Sequence, residues 1–227
     1  MVSGVDRIVI AVPELDSGVA EYRQLLGCSP LPGLPQADRC CFDLNNTVVE
    51  LALSDEPPGL RGLVFACGAA NPSETSLENS RGLDLRLADA SATAAMRAGG
   101  APSDLWVDHL VLRTGDADGC IELFAQQLGI RLALDQNVPE WGGRMLFFRT
   151  GKLTLEVIAP NSDAPARDAF WGIAYRCADI EQTSRQLAER GVELSSIRSG
   201  RKAGTRVMTV KSHCLGIPTL LIQQLAT

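Results

Sequence analysis

Aromatic side chains are scarce, at 5% of the 227 residues. The interior must therefore be filled mainly by Leu, Val, Ile and Ala, which suits a protein of many short elements. Basic charge is also short. Twenty-one Lys and Arg stand against 27 Asp and Glu, for a net charge of -6 and a pI near 5.0. Repulsion then argues against nucleic acid and against anionic membrane as partners, leaving a small-molecule ligand or another protein. No apolar run approaches the roughly 20 residues needed to span a bilayer. Seven cysteines are present, but no CxxC pair occurs and no secretory signal precedes them, so they read as free thiols. A cytoplasmic location is the default expectation.

What the chain does have is an internal repeat. Val5 to Gly27 realigns at one constant offset onto Val107 to Gly129, placing Val5 and Asp6 on Val107 and Asp108, Tyr22 on Phe124, Gln24 on Gln126, Leu26 on Leu128 and Gly27 on Gly129. Each copy begins with a strand-length apolar run, such as Ile8 to Val12. It continues with apolar residues at helical spacing (Val19, Tyr22, Leu25, Leu26) and stops at a glycine suited to a C-terminal cap.

Shorter strand candidates follow each helix. In the third quarter these are Arg131 to Asp135, Gly143 to Arg149 and Leu153 to Ile158, the last two joined at Gly151-Lys152. In the first quarter Arg39 to Leu44 and Thr47 to Leu53 flank the turn pair Asn45-Asn46. The last quarter runs from Gly172 to Cys177, through an amphipathic Ile180 to Arg190, to Arg206 to Lys211 and Thr219 to Gln223. Three βαβββ modules are expected. The second module is truncated: between Gly62 to Cys67 and Gly82 to Leu87 lie only loop-forming residues such as Asn71-Pro72 and Ser73. An Ala-rich stretch and Gly99-Gly100 follow, which puts a domain boundary near Gly100 and halves at 1–100 and 101–227. The fold class expected is α+β, with tandem modules forming curled mixed sheets around a cleft. The sheet edges left by the truncated module allow a homodimer.

Tandem βαβββ modules, with Val-Asp-His-Leu-Val-Leu opening the third and Leu-Thr-Leu-Glu-Val-Ile closing it, resemble the vicinal oxygen chelate family of glyoxalases, extradiol dioxygenases, epimerases and antibiotic-resistance proteins. Asp135 to Arg149 and Ser199 to Val207 also resemble a glyoxalase-like branch. The resemblance implies one divalent metal (Fe, Mn, Ni or Zn) held by a ligand on a module's first strand and a carboxylate on its last. Those positions in module three are His109 and Glu156, which can aim an imidazole and a carboxylate at one point.

That is an incomplete ligand set. Module one has Arg7 and Glu50 at the same places, and a guanidinium cannot ligate a cation, so an Arg7–Glu50 ion pair is expected instead. Module four aligns Gly172 and Leu221 there, neither a ligand. His213 falls in a turn, and joining His109 and Glu156 in a triad would require that turn to fold over the cleft. His109 and Glu156 are thus either metal ligands or a metal-free acid and base pair, and the alternative for a histidine among apolar residues is a hydrogen-bonded core group.

Substrate-binding candidates come from two other segments. Trp141 precedes a strand on which Arg144, Leu146 and Phe148 share a face, so Arg144 could stand at a cleft mouth with Phe148 below. Arg201, Lys202 and Arg206 form a basic cluster able to grip a carboxylate, although a solvated loop explains Lys202 as well. Two function classes follow. One is an isomerase, lyase or dioxygenase acting on a small, partly apolar organic anion in the module-three cleft. The other is a non-catalytic binding or sequestration protein with a degenerate metal site.

Overall fold

The computed structural model describes residues 2–32, 37–68, 74–89, 94, 97 and 102–225, with the Trp141 side chain outside the description. In the first half β1 (Val2–Val12) leads into α1 (Leu15–Leu26). It is followed by β2 (Arg39–Leu44), β3 (Thr47–Leu53), β4 (Gly59–Cys67), the two-residue β5 (Thr75–Ser76) and β6 (Asp84–Asp89). In the second half β7 (Trp106–Arg113) leads into α2 (Ala117–Ile121), which widens to a π-helical segment over Glu122–Gln127. Then come β8 (Arg131–Val138), β9 (Gly143–Thr150), β10 (Leu153–Pro160), β11 (Ala169–Arg176), α3 (Ile180–Glu189), β12 (Arg198–Ser199), β13 (Thr205–Val210) and β14 (Thr219–Gln224).

Local chemistry accounts for the helix ends. Gly27 and Gly129 take left-handed φ of 66° and 68° after the two repeated helices, a conformation that glycine adopts without steric cost. Asp116 and Asp179 cap α2 and α3 by accepting backbone N–H bonds from Gly119, and from Glu181 and Gln182.

Modules three and four each show the βαβββ order. Module one departs from the expectation: among the described residues only β2 and β3 follow α1. Module two is reduced to β4, β5 and β6. Helical backbone is described at residues 94 and 97, while Gly100 and the boundary expected there lie outside the described residues.

Strands from the first half form a six-stranded sheet in the order β2-β3-β1-β4-β6-β5, and those from the second an eight-stranded sheet in the order β12-β13-β14-β11-β7-β10-β9-β8. Both sheets are mixed. At each centre two first strands pair antiparallel (β1 with β4, β7 with β11), and each of them pairs parallel with the last strand of its own module. Such pairing brings the first and last strand of a module side by side.

One face of each sheet is packed and the other is not. Leu110, Leu112, Leu146, Phe148, Leu155 and Val157 join Leu123 and Phe124 of the helical segment in a core that also contains α1 and strands of the first sheet. Tyr22 of α1 and Tyr175 of β11 are both fully buried where the halves meet. Asn46 ties the halves by bonding the backbone N–H and C=O of Val107, and Arg81 does so through Asp168 at 2.6 Å. Alternation along each strand therefore sends every second side chain to the opposite, helix-free face.

Candidate functional site

The helix-free face of the eight-stranded sheet carries the candidate site, and a β-bulge shapes it. Along β7 and β11, His109 pairs with Ala174 and Val107 with Tyr175, so Asp108 is an extra residue without a partner. A bulge re-aims the side chains around it. Asp108 consequently lies beside His109, with its Oδ2 2.9 Å from Nδ1, while Nε2 faces Glu156 Oε2 at 3.5 Å. All three side chains are largely buried but reach solvent. Residue for residue the repeat makes the same bulge in module one, where Asp6 is the extra residue and contacts Arg7 at 3.0 Å.

Burial opposes charge on the His109 ring, but the hydrogen bond to Asp108 and the negative charges of Glu156 and Asp108 outweigh it and raise the imidazole above its usual 6.5. Burial likewise raises Glu156, against the pull of His109. Asp108 is held low despite burial because it bonds His109 and faces Arg176 and Lys202. Since the folded midpoint of His109 is raised, its contribution to stability is present in full below pH 6.5 and is lost as pH rises through that midpoint. Asp108→Asn removes the negative charge and leaves only a neutral acceptor, so the His109 titration followed by NMR moves to lower pH and this pH-dependent contribution shrinks. An unmoved midpoint would show that Asp108 does not set the ring's charge.

Strand register maps the floor of the site. Phe147, Glu156, Val111 and Gly172 lie in one row across β9, β10, β7 and β11. The next row holds Arg149, Thr154, His109 and Ala174, with Arg149 Nη1 donating to Thr154 Oγ1 at 3.0 Å. Glu156 therefore has the aromatic ring of Phe147 on one side and the aliphatic side chain of Val111 on the other. Arg201 acts on Glu156, and Arg176 and Lys202 act on Asp108, so cations outnumber carboxylates here although the chain as a whole is acidic.

Several expected binding residues lie elsewhere. Arg144, Leu146 and Phe148 do share a face, but it is the packed one. Phe148 is fully buried with its ring centroid 5.4 Å from that of Phe124, and Arg144 pairs with Asp135 and with Asp118 of the helix. Neighbouring residues on a strand point to opposite faces, so Phe147 and Arg149 occupy the helix-free side instead. Arg206 is also on the packed side, bonding Glu181 of α3 at 2.7 Å. Of the basic cluster, only Arg201 and Lys202 bear on the site. Trp141 ends a 3-10 turn before β9, and its side chain lies outside the described residues. Asp108, Phe147 and Arg149 escape sequence reading; the signal available was the repeated Val-Asp and the parity of β9 relative to Glu156.

Module one holds ions where module three holds its pair. Arg7 Nε lies 2.9 Å from Glu50 Oε2, both buried, and Arg7 also meets Asp6 and Glu74. Arg39 approaches Glu50, and Arg86 joins Glu74 at 2.5 Å and Asp84 at 2.8 Å. That face is filled by a closed network. In module four, Ala174, Val207, Leu220 and Ile222 cluster on the helix-free face, so Leu220 and Ile222 stand there rather than Leu221, which is buried in the main core. A Cβ on Gly172 would meet Pro218 O at 2.8 Å, so the glycine serves close strand packing.

His213 does not complete a triad. It sits in a turn at φ 57°, bonds Ser212 through Nδ1 at 2.8 Å, and lines a separate groove with Glu14, Ser17 and Glu21. Among the described residues no group of three or more metal-ligating side chains occurs. Two donors from one module, His109 Nε2 and Glu156, with a buried apolar cluster in module four opposite, do not fit a divalent ion that takes three protein ligands.

Residues 108–209 match the model of the Glyoxalase/Bleomycin resistance protein/Dioxygenase superfamily. No curated protein matches the chain in sequence. Among solved structures, a triple mutant of 4-hydroxymandelate synthase from Streptomyces coelicolor is similar over 100% of this chain and 94% of its own, at 16% identity and a TM-score of 0.70. The Mn(II)-bound glyoxalase from Novosphingobium aromaticivorans is similar over 99% of this chain and 83% of its own, at 16% identity and a TM-score of 0.69. Residues 108–209 thus resemble that superfamily, and the whole chain shares the tandem-module fold of the two solved structures.

Proposed function

We propose that the protein moves a proton on a small, partly apolar organic anion, as an isomerase or lyase does, using Glu156 and His109 without a metal. The single observation that carries this reading is the His109–Glu156 contact of 3.5 Å on an accessible face, with the ring oriented by Asp108. In this role Glu156 takes the proton from carbon. His109, charged through a wider pH range by its carboxylate neighbours, stabilises the developing oxyanion as a hydrogen-bond donor, and Glu156 returns the proton it took to the substrate. Arg201, Lys202 and Arg149 hold the anionic group. A dioxygenase needs a metal with open positions, for which the donor set is short by one ligand.

The expected result in heavy water is protein-dependent loss of an α C–H signal from a panel of small 2-oxo and branched carboxylates. Absence of exchange with any of them, together with saturable binding, would favour the second reading, a sequestration protein. The observation that favours it is that module four offers no ligand-type side chain opposite the pair, where Ala174, Val207 and Ile222 form a buried apolar cluster. No helix of the described residues is long and apolar enough to cross a membrane.

A further inference from the structure

Resting on the proton-transfer reading above, we infer that the ligand is a carboxylate carrying a ring-sized or larger apolar body, and that Trp171 is the residue that selects for that body. A second bulge places it. Phe170 pairs with Leu112 and Gly172 with Val111, so Trp171 is an extra residue in β11 with no partner on β7. Phe170 packs against the core, whereas Trp171 is 49% exposed, one of the few large apolar side chains left in solvent. Exposure of this kind on an otherwise well-buried chain marks a contact surface.

The repeat supplies a control. Along β1 and β4, Val9 pairs with Gly62 and Ile10 with Leu60, which makes Arg61 the corresponding extra residue. Arg61 is spent locally, on Glu56 and the carbonyl of Pro57, each at 2.8 Å. Where the cleft is filled by ion pairs, this position carries a polar surface residue; where the cleft is accessible, it carries tryptophan.

The order of groups across the sheet fixes the ligand's shape. Arg149 is on β9, Glu156 and His109 on β10 and β7, and Val111 and Trp171 on β7 and β11. Three strand spacings of about 4.8 Å separate β9 from β11, so the path is roughly 14 Å long. Cations gather at the Asp108 end (Arg176 and Lys202), and Met145 and Ile158 line the other end, with Arg113 at its margin. An anion at Arg149 with the reacting carbon over Glu156 sends whatever follows across Val111 to Trp171. A compact acid leaves that stretch unused.

Phenylacetate and acetate, titrated at equal ionic strength into the full chain with isotope-labelled histidine, separate the cases through the His109 resonances and tryptophan fluorescence. Phenylacetate is expected to bind about tenfold or more tightly than acetate, as burial of a ring implies, and to shift His109. Trp171→Ala should bring phenylacetate to the acetate level; Trp171→Arg, the residue type at Arg61, serves if the first variant fails to fold. Equal affinities, no binding of either acid, or an unchanged preference in the variants overturns the role of Trp171 and leaves the His109–Glu156 reading standing. Binding that the variants weaken without any effect on His109 would overturn both, because the ligand would then lie off the site.

Discussion

Glu156→Gln is expected to lower any proton-transfer rate by about 10²- to 10⁴-fold, the range typical of a removed general base, while leaving the fold intact. The amide keeps the shape of the side chain and loses only its basic oxygen. Its effect on stability has a definite sign. Burial raises the folded pKa of Glu156, so the ionised form is disfavoured by folding, and above that midpoint a neutral side chain removes the penalty. Glu156→Gln should therefore melt no earlier than the unmodified protein at pH 7, and its advantage should fade toward acid pH, where Glu156 is protonated anyway. A variant that lost several kcal/mol of stability, with ligand binding by the folded fraction unchanged, would identify the His109–Glu156 contact as a structural hydrogen bond.

Arg7→Met in the other half should have the largest cost in stability, about 3–5 kcal/mol, because it leaves the buried carboxylates of Asp6 and Glu50 without their shared cation. For a chain of this size that corresponds to a melting point lower by about 6–20 °C. Chemical denaturation at neutral pH measures it directly. The double variant Arg7→Met with Glu50→Met should cost less than the single one, since the stranded charge goes with its partner. A loss below about 1 kcal/mol in Arg7→Met would mean that water screens the network and that the first-half cleft is more open than its ion pairs indicate.

The two variants bear on one contrast. A bulge with aspartate as its extra residue is built twice, and the next residue decides what the half becomes. With Arg7 the cation draws in Asp6, Glu50 and Glu74, and Arg39 and Arg86 extend the network until the face is closed. With His109 only one carboxylate contacts each ring nitrogen, and the face stays accessible to solvent. Imidazole can lose its proton near neutral pH and guanidinium cannot, so at this position the second half has a proton-exchanging side chain and the first half a fixed cation.

The sequence alone determined the order of elements in modules three and four, and its resemblance to a known family implied which strands would be neighbours. The Val-Asp repeat, the helical spacing of Val19, Tyr22, Leu25 and Leu26, and the capping glycines are local signals, and each acts within a few residues. Once a module's first and last strands are known to pair, the adjacency of His109 with Glu156, and of Arg7 with Glu50, follows from the same alignment. What only the tertiary structure decided is which side of each strand faces the cleft. Alternation correctly grouped Arg144 with Leu146 and Phe148, yet the face they share is the one covered by α2 and its π-helical extension, so Phe147 and Arg149 are exposed on the other. The same holds for Arg206, drawn to Glu181 on α3, and for Leu221, buried while Leu220 and Ile222 line the open face. A strand's period of two is local, but its phase is set by the helix that packs on it, and one extra residue at Asp108 or Trp171 resets that phase through pairing with a strand about sixty positions away.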